Sequence, residues 1–367
     1  MKSIYFSILL INAILAILNK KSKIIIGFSW LYTVVLFAGN TMNGDYIPYL
    51  KPYLSHDLSE FEIGYRAIGT IFSNAGIPYN FFVLFIVLVG YLILGSVWIK
   101  SKLNMHVFFA LYYPILVFYD INQVRNFVLA VLLTSAIINL LNGKKIKYIL
   151  EIILASTMQS LALVYMPLVG MGKSINKRRK KIYIIIYFAI IISLLVFING
   201  KKIPLLYDAF EIYFGKNSEK LRYFKADNMK WGFLLTYVLQ IVNVGLMTLS
   251  TNNLKINRVS QEKYLFAKSI EQINYFGFLV FPLLLINLTF YRVFRNFSFL
   301  NYMVIAITID SFYSSKKQKK QRYYIYLGAV LLYCIIWKYG IIIKYGGESQ
   351  INMILNNNIV LDLLGKI

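Results

Sequence analysis

The sequence holds one cysteine, Cys334, and it lies inside an apolar block. A disulfide within the chain is therefore impossible, and a thiolate metal centre is excluded. Histidine is almost as scarce. His56 and His106 are far apart and show no metal-ligand spacing. No Gly-rich phosphate loop or nucleotide motif is present, so the chain lacks the element an ATP-driven pump would need here or in a partner. There is no convincing internal repeat and no soluble domain. Acidic residues are few, 15 against 39 basic ones, and the formal net charge is +24.

What the sequence does hold is apolar surface. Hydrophobic residues make up 59% and the mean hydropathy is +0.62, whereas a soluble domain is usually about 45–50% apolar. The excess falls in blocks of about 16–22 residues separated by short Lys-rich punctuation, the spacing a bilayer imposes on helices. The expected fold is an all-α polytopic membrane protein. It is one transmembrane domain over residues 1–367, with about ten transmembrane helices and a re-entrant helical hairpin. Most Lys and Arg lie in short loops between apolar blocks. That is the positive-inside pattern rather than a nucleic-acid footprint.

Met1 to Leu18 resembles a signal peptide in length. It lacks a small-residue cleavage site and is followed at once by another hydrophobic segment, so it reads as the first span. Lys2–Leu18 and Ile24–Gly39 flank the basic loop Asn19–Lys23, which places that loop in the cytoplasm and the N-terminus outside. Residues 40–78 then form a long external loop. Tyr79–Ile99 crosses inward and Leu103–Tyr119 outward. Asp120–Asn126 is an external turn, and Phe127–Leu141 returns to Lys144, Lys145 and Lys147.

Residues 148–170 lie between two basic loops, the second running from Lys173 to Lys181. About 23 residues are too few for two full spans. Two half-helices meeting near Thr157–Ser160 would enter and leave on one side, a break that survives at membrane depth only when buried in protein or lining a wet cavity. The alternative is one ordinary span with a misplaced basic loop. Ile182–Ile198 crosses outward to a second external loop, 199–230. That loop carries seven basic residues between Lys201 and Lys230, tolerable because long loops obey the charge rule weakly. Trp231–Ser250 returns inward, Ser269–Phe290 crosses outward, Tyr291–Phe297 is a tight external turn, Leu300–Ser314 returns, and Tyr323–Ile343 leaves the C-terminus outside.

This topology brings an unusual set of ionisable groups to the external side. The first loop carries Asp45, Tyr46, Tyr49, Glu60, Glu62, Tyr65 and Arg66. Asp120 and Arg125 flank the next turn, and Arg292 and Arg295 head another. Arginine binds phosphate oxygens bidentately with its planar fork, and a nearby carboxylate can take a proton from a sugar hydroxyl. Each residue also has an ordinary role open to it. Interfacial Arg snorkels, and Asp–Arg pairs tie loops together. Tyrosine is enriched at membrane interfaces, and external aromatics could also stack on sugar faces.

The order of these residues resembles the EpsG family of exopolysaccharide proteins, related to Wzy-type repeat-unit polymerases. It begins with a short apolar hairpin, then Asp45-Tyr46 with Tyr49 three residues on, then Glu62-x-Gly64-Tyr65. Next comes Gln123-Val-Arg125-Asn126 opening a helix. Last is an Ala-Ser-x-x-His-x-Ser-Ala-like segment, here Thr157-Met-Gln-Ser-Leu-Ala162. The resemblance covers essentially the whole chain through sparse motifs.

The resemblance implies polymerisation of lipid-linked oligosaccharide units on the outer face of the bacterial cytoplasmic membrane, in exopolysaccharide or capsule synthesis. A growing glycan would leave undecaprenyl diphosphate and join a new lipid-linked unit, through a metal-independent, inverting transfer with no cofactor. Other membrane proteins of polysaccharide assembly are possible partners. On this chain the implied catalytic group is Asp45, Glu62 and Arg125. Arg66, Tyr49, Tyr65, Gln159, Arg292 and Arg295 would bind substrate. Gln159 stands where the family shows His. It cannot act as a base near neutral pH, so either the family's His is structural or hydrogen-bonding, or this protein works differently or not at all. The first is the preferred reading, with a polar side chain capping backbone freed at the hairpin break. Two rivals remain: a lipid-linked oligosaccharide flippase, which would line a path on both faces and often shows repeats, and a glycan ligase, which would share the arginine chemistry.

Overall fold

The computed structural model describes residues 2–170, 179–200, 211–212, 232–314, 320–344 and 348–360. Helices follow one another, and among the described residues the only extended pairing is a β-bridge between Asn40 and Asn358. The first ten α-helices are α1 (Lys2–Ile17), α2 (Lys23–Ala38), α3 (Tyr46–Leu54), α4 (Ile63–Asn74), α5 (Tyr79–Lys100), α6 (Met105–Ile115), α7 (Val117–Asn122), α8 (Val124–Leu141), α9 (Lys145–Met158) and α10 (Arg179–Ile198), with a 3-10 helix, Ser160–Gly170, between the last two. Further helices include Gly232–Ile256, Gln261–Phe276, Ser298–Ser314, Lys320–Lys344 and Glu348–Asn356.

Among the described residues, four helical stretches are long and apolar enough to cross a membrane: α5, α8, Gly232–Ile256 and Gln261–Ile286. Shorter apolar helices are α1, α2, α6, Ser160–Gly170 and Ile186–Ile198. The burial pattern agrees with a lipid solvent. Ser298–Ser314 is enclosed along nearly its whole length and forms the centre of the bundle. Peripheral helices turn large apolar side chains outward, such as Leu92 (72% exposed) on α5 and Ile198 (80%) on α10. A water-soluble domain rarely exposes such patches.

Lipid offers no hydrophobic drive between helices, so packing and interhelical hydrogen bonds carry association. Several Asn side chains serve this purpose. Asn274 Nδ2 donates to Asn301 Oδ1 (2.7 Å), and Asn301 Nδ2 returns the bond to Asn274 Oδ1 (3.1 Å). Trp337 Nε1 donates to Asn243 Oδ1 (3.1 Å). His106 belongs to the same class. The Ser22 backbone N–H donates to its Nε2 (3.0 Å), so the proton sits on Nδ1, which donates to Asn12 Oδ1 (2.7 Å). This neutral histidine locks α1 and α2 to the start of α6.

The bundle has two chemically different ends. At one, the basic turns meet: Lys21 Nζ donates to Lys102 O (3.2 Å), Asn104 to Asn19 (3.1 Å), Asn19 to Asp310 (3.2 Å), Lys263 pairs with Asp310 (3.3 Å) and Arg322 donates to Asn253 (2.6 Å). At the other, Asn80 Nδ2 donates to Ala38 O (2.6 Å) and Asn40 O (3.0 Å), Tyr46 donates to Asn80 (3.0 Å), and the Gly44 N–H donates to Asn122 (2.9 Å). The candidate site residues lie at this second end.

Some segments depart from the sequence reading. Residues 40–78, expected as a loop, contain α3 and α4. Asp120–Asn126, expected as a turn, is helical except at Gln123, because Asp120 sits within α7 and Val124 already begins α8. The expected turn Tyr291–Phe297 contains the helical turn Arg292–Arg295. The crossing expected at Ser269–Phe290, after an amphipathic lead-in, is continuous with a helix that begins at Gln261, and it changes to 3-10 geometry at Gly277–Val280. Within 148–170 the chain folds back at Gln159, and the Tyr148 hydroxyl reaches the Tyr165 carbonyl. Seventeen residues of continuous helix would instead separate them by about 25 Å. The second expected external loop, 199–230, lies almost wholly outside the described residues.

Candidate functional site

Glu62 precedes the first turn of α4 with extended backbone (ψ 148°) and makes no side-chain cap to its own helix. Its carboxylate is committed elsewhere. Oε2 accepts from Arg125 Nη1, and Oε1 accepts from both the backbone N–H (3.1 Å) and the hydroxyl (3.0 Å) of Ser160. Ser160 can donate from the main chain because Gln159 leaves helical geometry (φ −153°, ψ 111°) and turns the next N–H out of the helix. Gly64 lets α4 come this close to α9. A Cβ there would fall 2.4 Å from Thr157 Oγ1 and 3.0 Å from the Thr157 carbonyl oxygen. The motif Glu62-x-Gly64-Tyr65 is thus one carboxylate clamp, one close approach and one buried ring.

Arg125 is the second residue of α8. Its Nε donates to the Tyr49 hydroxyl (2.9 Å), and its guanidinium carbon lies 4.8 Å from the Phe61 ring centre, 5.1 Å from Tyr49 and 5.6 Å from Tyr65. Tyr49 and Phe61 stack at 5.4 Å and 3°, and Tyr65 meets both edge-on. Each cation–π contact contributes about 0.5–2 kcal/mol, more when desolvated. Two of Arg125's three nitrogens are thereby engaged. Among the described residues its Nη2 has no hydrogen-bond partner.

Asp45 sits at the N-terminus of α3 without capping it, and its backbone N–H donates to Asn43 Oδ1 (3.0 Å). Burial pushes its carboxyl above the ordinary aspartate range, although Arg292 and Arg125 both pull it down. Glu62 goes the other way. Burial opposes its ionisation too, but Arg125 and the two Ser160 donors outweigh that and hold it below the usual range. Two carboxyls that feel the same guanidinium are therefore driven apart, a pattern that separates acid–base roles in known active sites. Arg292 is half-buried, and its Nε is buried with no hydrogen-bond partner among the described residues.

The other candidates divide. Tyr49 and Tyr65 join the Arg125 cluster. Arg66 does not: α4 turns Tyr65 inward, and the next residue, about 100° round the helix, is exposed. Arg295 is only 2% exposed, donates to Tyr291 (2.8 Å) and Gln123 Oε1 (2.8 Å), and lies over the Tyr119 and Tyr291 rings. Its contacts are those of a brace between Arg292–Arg295 and the α7–α8 junction. Gln159 closes α9 through its backbone. Its N–H donates to Ala155 O (2.9 Å), its carbonyl accepts from Ala162 (3.0 Å), and among the described residues its side chain makes no hydrogen bond. The expected side-chain cap is thus supplied by the main chain. Asp120 is buried, takes a bond from Tyr112, and leaves Oδ2 without a hydrogen-bond partner.

Sequence reasoning missed Ser160 and Phe61, a neutral donor and an unremarkable ring. Their signal was position, one beside the chain break and the other beside Glu62. Among the described residues no three His, Cys, Asp or Glu side chains gather as a metal-binding group.

Apolar helices around a charged, aromatic-walled site define a multi-pass helical membrane protein with a polar centre at one end of its bundle. The chain belongs to the EpsG family, a Wzy-type polymerase family, whose model matches residues 23–352. No curated protein and no solved structure matches the chain.

Proposed function

We propose that the chain polymerises lipid-diphosphate-linked oligosaccharide repeat units for an exopolysaccharide or capsule. Undecaprenyl diphosphate is the lipid carrier in this reading. The site end faces outward from the bacterial cytoplasmic membrane, ten crossings leave both termini on that side, and the fold-back at Gln159 is a re-entrant hairpin. The observation that carries the reading is a pair of guanidinium donors without a hydrogen-bond partner among the described residues: Arg292 Nε, which is buried, and Arg125 Nη2, left over once Nε and Nη1 are bonded. Both arginines act electrostatically on a carboxyl with raised proton affinity, Asp45.

The step is a single metal-independent displacement with inversion. The acceptor hydroxyl oxygen bonds to the anomeric carbon while the bond from that carbon to the diphosphate oxygen breaks. The bonding pair leaves with the diphosphate, and the hydroxyl proton passes to the Asp45 carboxylate. The departing diphosphate gains charge, and the two guanidinium groups oppose it at a site already organised before reaction. Glu62 cannot easily serve as the base, since three donors hold it ionised. Its part is to fix Arg125.

Glycan from cells lacking this chain tests the function. The expected product is single repeat units on lipid diphosphate at the outer face. Units trapped on the inner face would indicate a flippase, and full-length polymer on the carrier would indicate a ligase.

A further inference from the structure

The Asp45 loop is held in place by residues more than 300 positions away. After Glu348–Asn356, the chain lies antiparallel to the end of α2. The Thr41 N–H donates to Asn357 O (3.2 Å), the Ile359 N–H donates to Gly39 O (2.8 Å), and Asn40 faces Asn358. Asn40 Nδ2 reaches further into this segment, to Ile354 O (3.3 Å) and Asn357 O (3.1 Å), and Asn358 Nδ2 donates to Val35 O (3.0 Å). Both asparagines are buried. The approach leaves no spare room, because a Cβ on Gly39 would meet Asn358 Oδ1 at 2.4 Å.

These bonds lead to the site. Asn40 Oδ1 accepts from Asn43 Nδ2 (2.7 Å), and Asn43 Oδ1 accepts from the Asp45 backbone N–H (3.0 Å). On its other flank the loop is pinned by Gly44 N–H to Asn122, three residues before Arg125. The N-terminus of α3 thus has two anchors, one beside Arg125 and one in the C-terminal segment.

We propose that residues 354–359 form a strap that positions Asp45, with Asn40, Asn43 and Asn358 as its positioning residues. The strap works through bonds that exist only while the C-terminal segment is docked. It keeps the Asp45 carboxyl partly buried and within the electrostatic reach of Arg292 and Arg125. This rests on the reading of Asp45 as the proton acceptor.

The experiment uses the full-length chain in membrane vesicles, with lipid-linked oligosaccharide extracted from cells lacking this chain as substrate. Asn358→Ala loosens the strap. Asn43→Ala, at a partly exposed position, breaks only the relay and keeps the assay interpretable should Asn358→Ala fail to fold. The strap predicts a fall in kcat of roughly ten- to a hundredfold with little change in KM, and an acid limb of the pH profile displaced to lower pH as Asp45 hydrates. Asp45→Asn should abolish polymer formation at every pH. Wild-type kcat and an unmoved limb in the folded Asn43→Ala chain, with Asp45→Asn inactive, would overturn the strap alone. A fully active Asp45→Asn would overturn the reading of Asp45 and the strap with it.

Discussion

Arg125 and Glu62 pair across the junction of α4 and α8, and the oxygen of Glu62 that Arg125 leaves free is bonded twice by Ser160. One carboxylate therefore joins three chain segments. Its side chain is 10% exposed and that of Arg125 19%, so little water is available to replace a lost partner.

Glu62→Gln should destabilise the protein by about 3 kcal/mol, the usual cost of stranding one member of a nearly buried pair. The pH dependence has a definite sign. Glu62 is more acidic folded than unfolded, so its contribution is present above the unfolded value of about 4.3 and is lost as pH falls through the lower folded value. Thermal unfolding in detergent should show wild type and Glu62→Gln converging in acid and separating toward neutral pH.

Asp45 behaves in the opposite sense. Its folded carboxyl holds its proton more tightly than the unfolded one, so the stability it contributes is fully present below the unfolded value and is lost as pH rises through the folded value. At neutral pH Asp45→Asn should therefore match or exceed the wild-type melting temperature while polymer synthesis collapses. Parallel melting and activity measurements on the same preparation check this.

Gly64→Ala should separate α4 from α9, since no L side chain fits 2.4 Å from Thr157 Oγ1. Overpacking of this kind costs about 1–3 kcal/mol. It should also release Glu62 from Ser160 and lower activity. Combining it with Thr157→Ala removes the nearest clashing atom and should restore part of both losses. Equal melting temperatures for Gly64→Ala and wild type would contradict the close-packing account.

Gln159→Ala should change polymer length little, because the backbone of Gln159, not its side chain, closes α9. Ser160→Ala should do more, since it deletes one of the two Ser160 bonds to Glu62. Polymer ladders from cells carrying each variant give the comparison.

The parts legible in the sequence were those with a strong physical signature. Asp45, Glu62 and Arg125 stood out because charge beside hydrocarbon is costly, and the chain break near Gln159 stood out because the basic loops on either side crowd the intervening stretch. Ser160 and Phe61 carried no such mark. Arg66 and Arg295 matched the expected chemistry, yet helix phase turned one outward and close packing enclosed the other. Neither can be read from spacing alone. α3 and α4 were hidden within a segment whose Gly, Asn and Pro residues read as loop. The strap from Asn358 to Asn40 was beyond sequence reasoning altogether, because nothing local to either residue names the other.

The most direct test of the central claim replaces the Arg125 fork while keeping its charge. In vesicles supplied with extracted lipid-linked oligosaccharide, Arg125→Lys should form polymer at least about a hundredfold more slowly than wild type, since lysine cannot hold Glu62 and a phosphate oxygen in one plane. Wild-type rates and chain lengths for both Arg125→Lys and Arg125→Ala would contradict it.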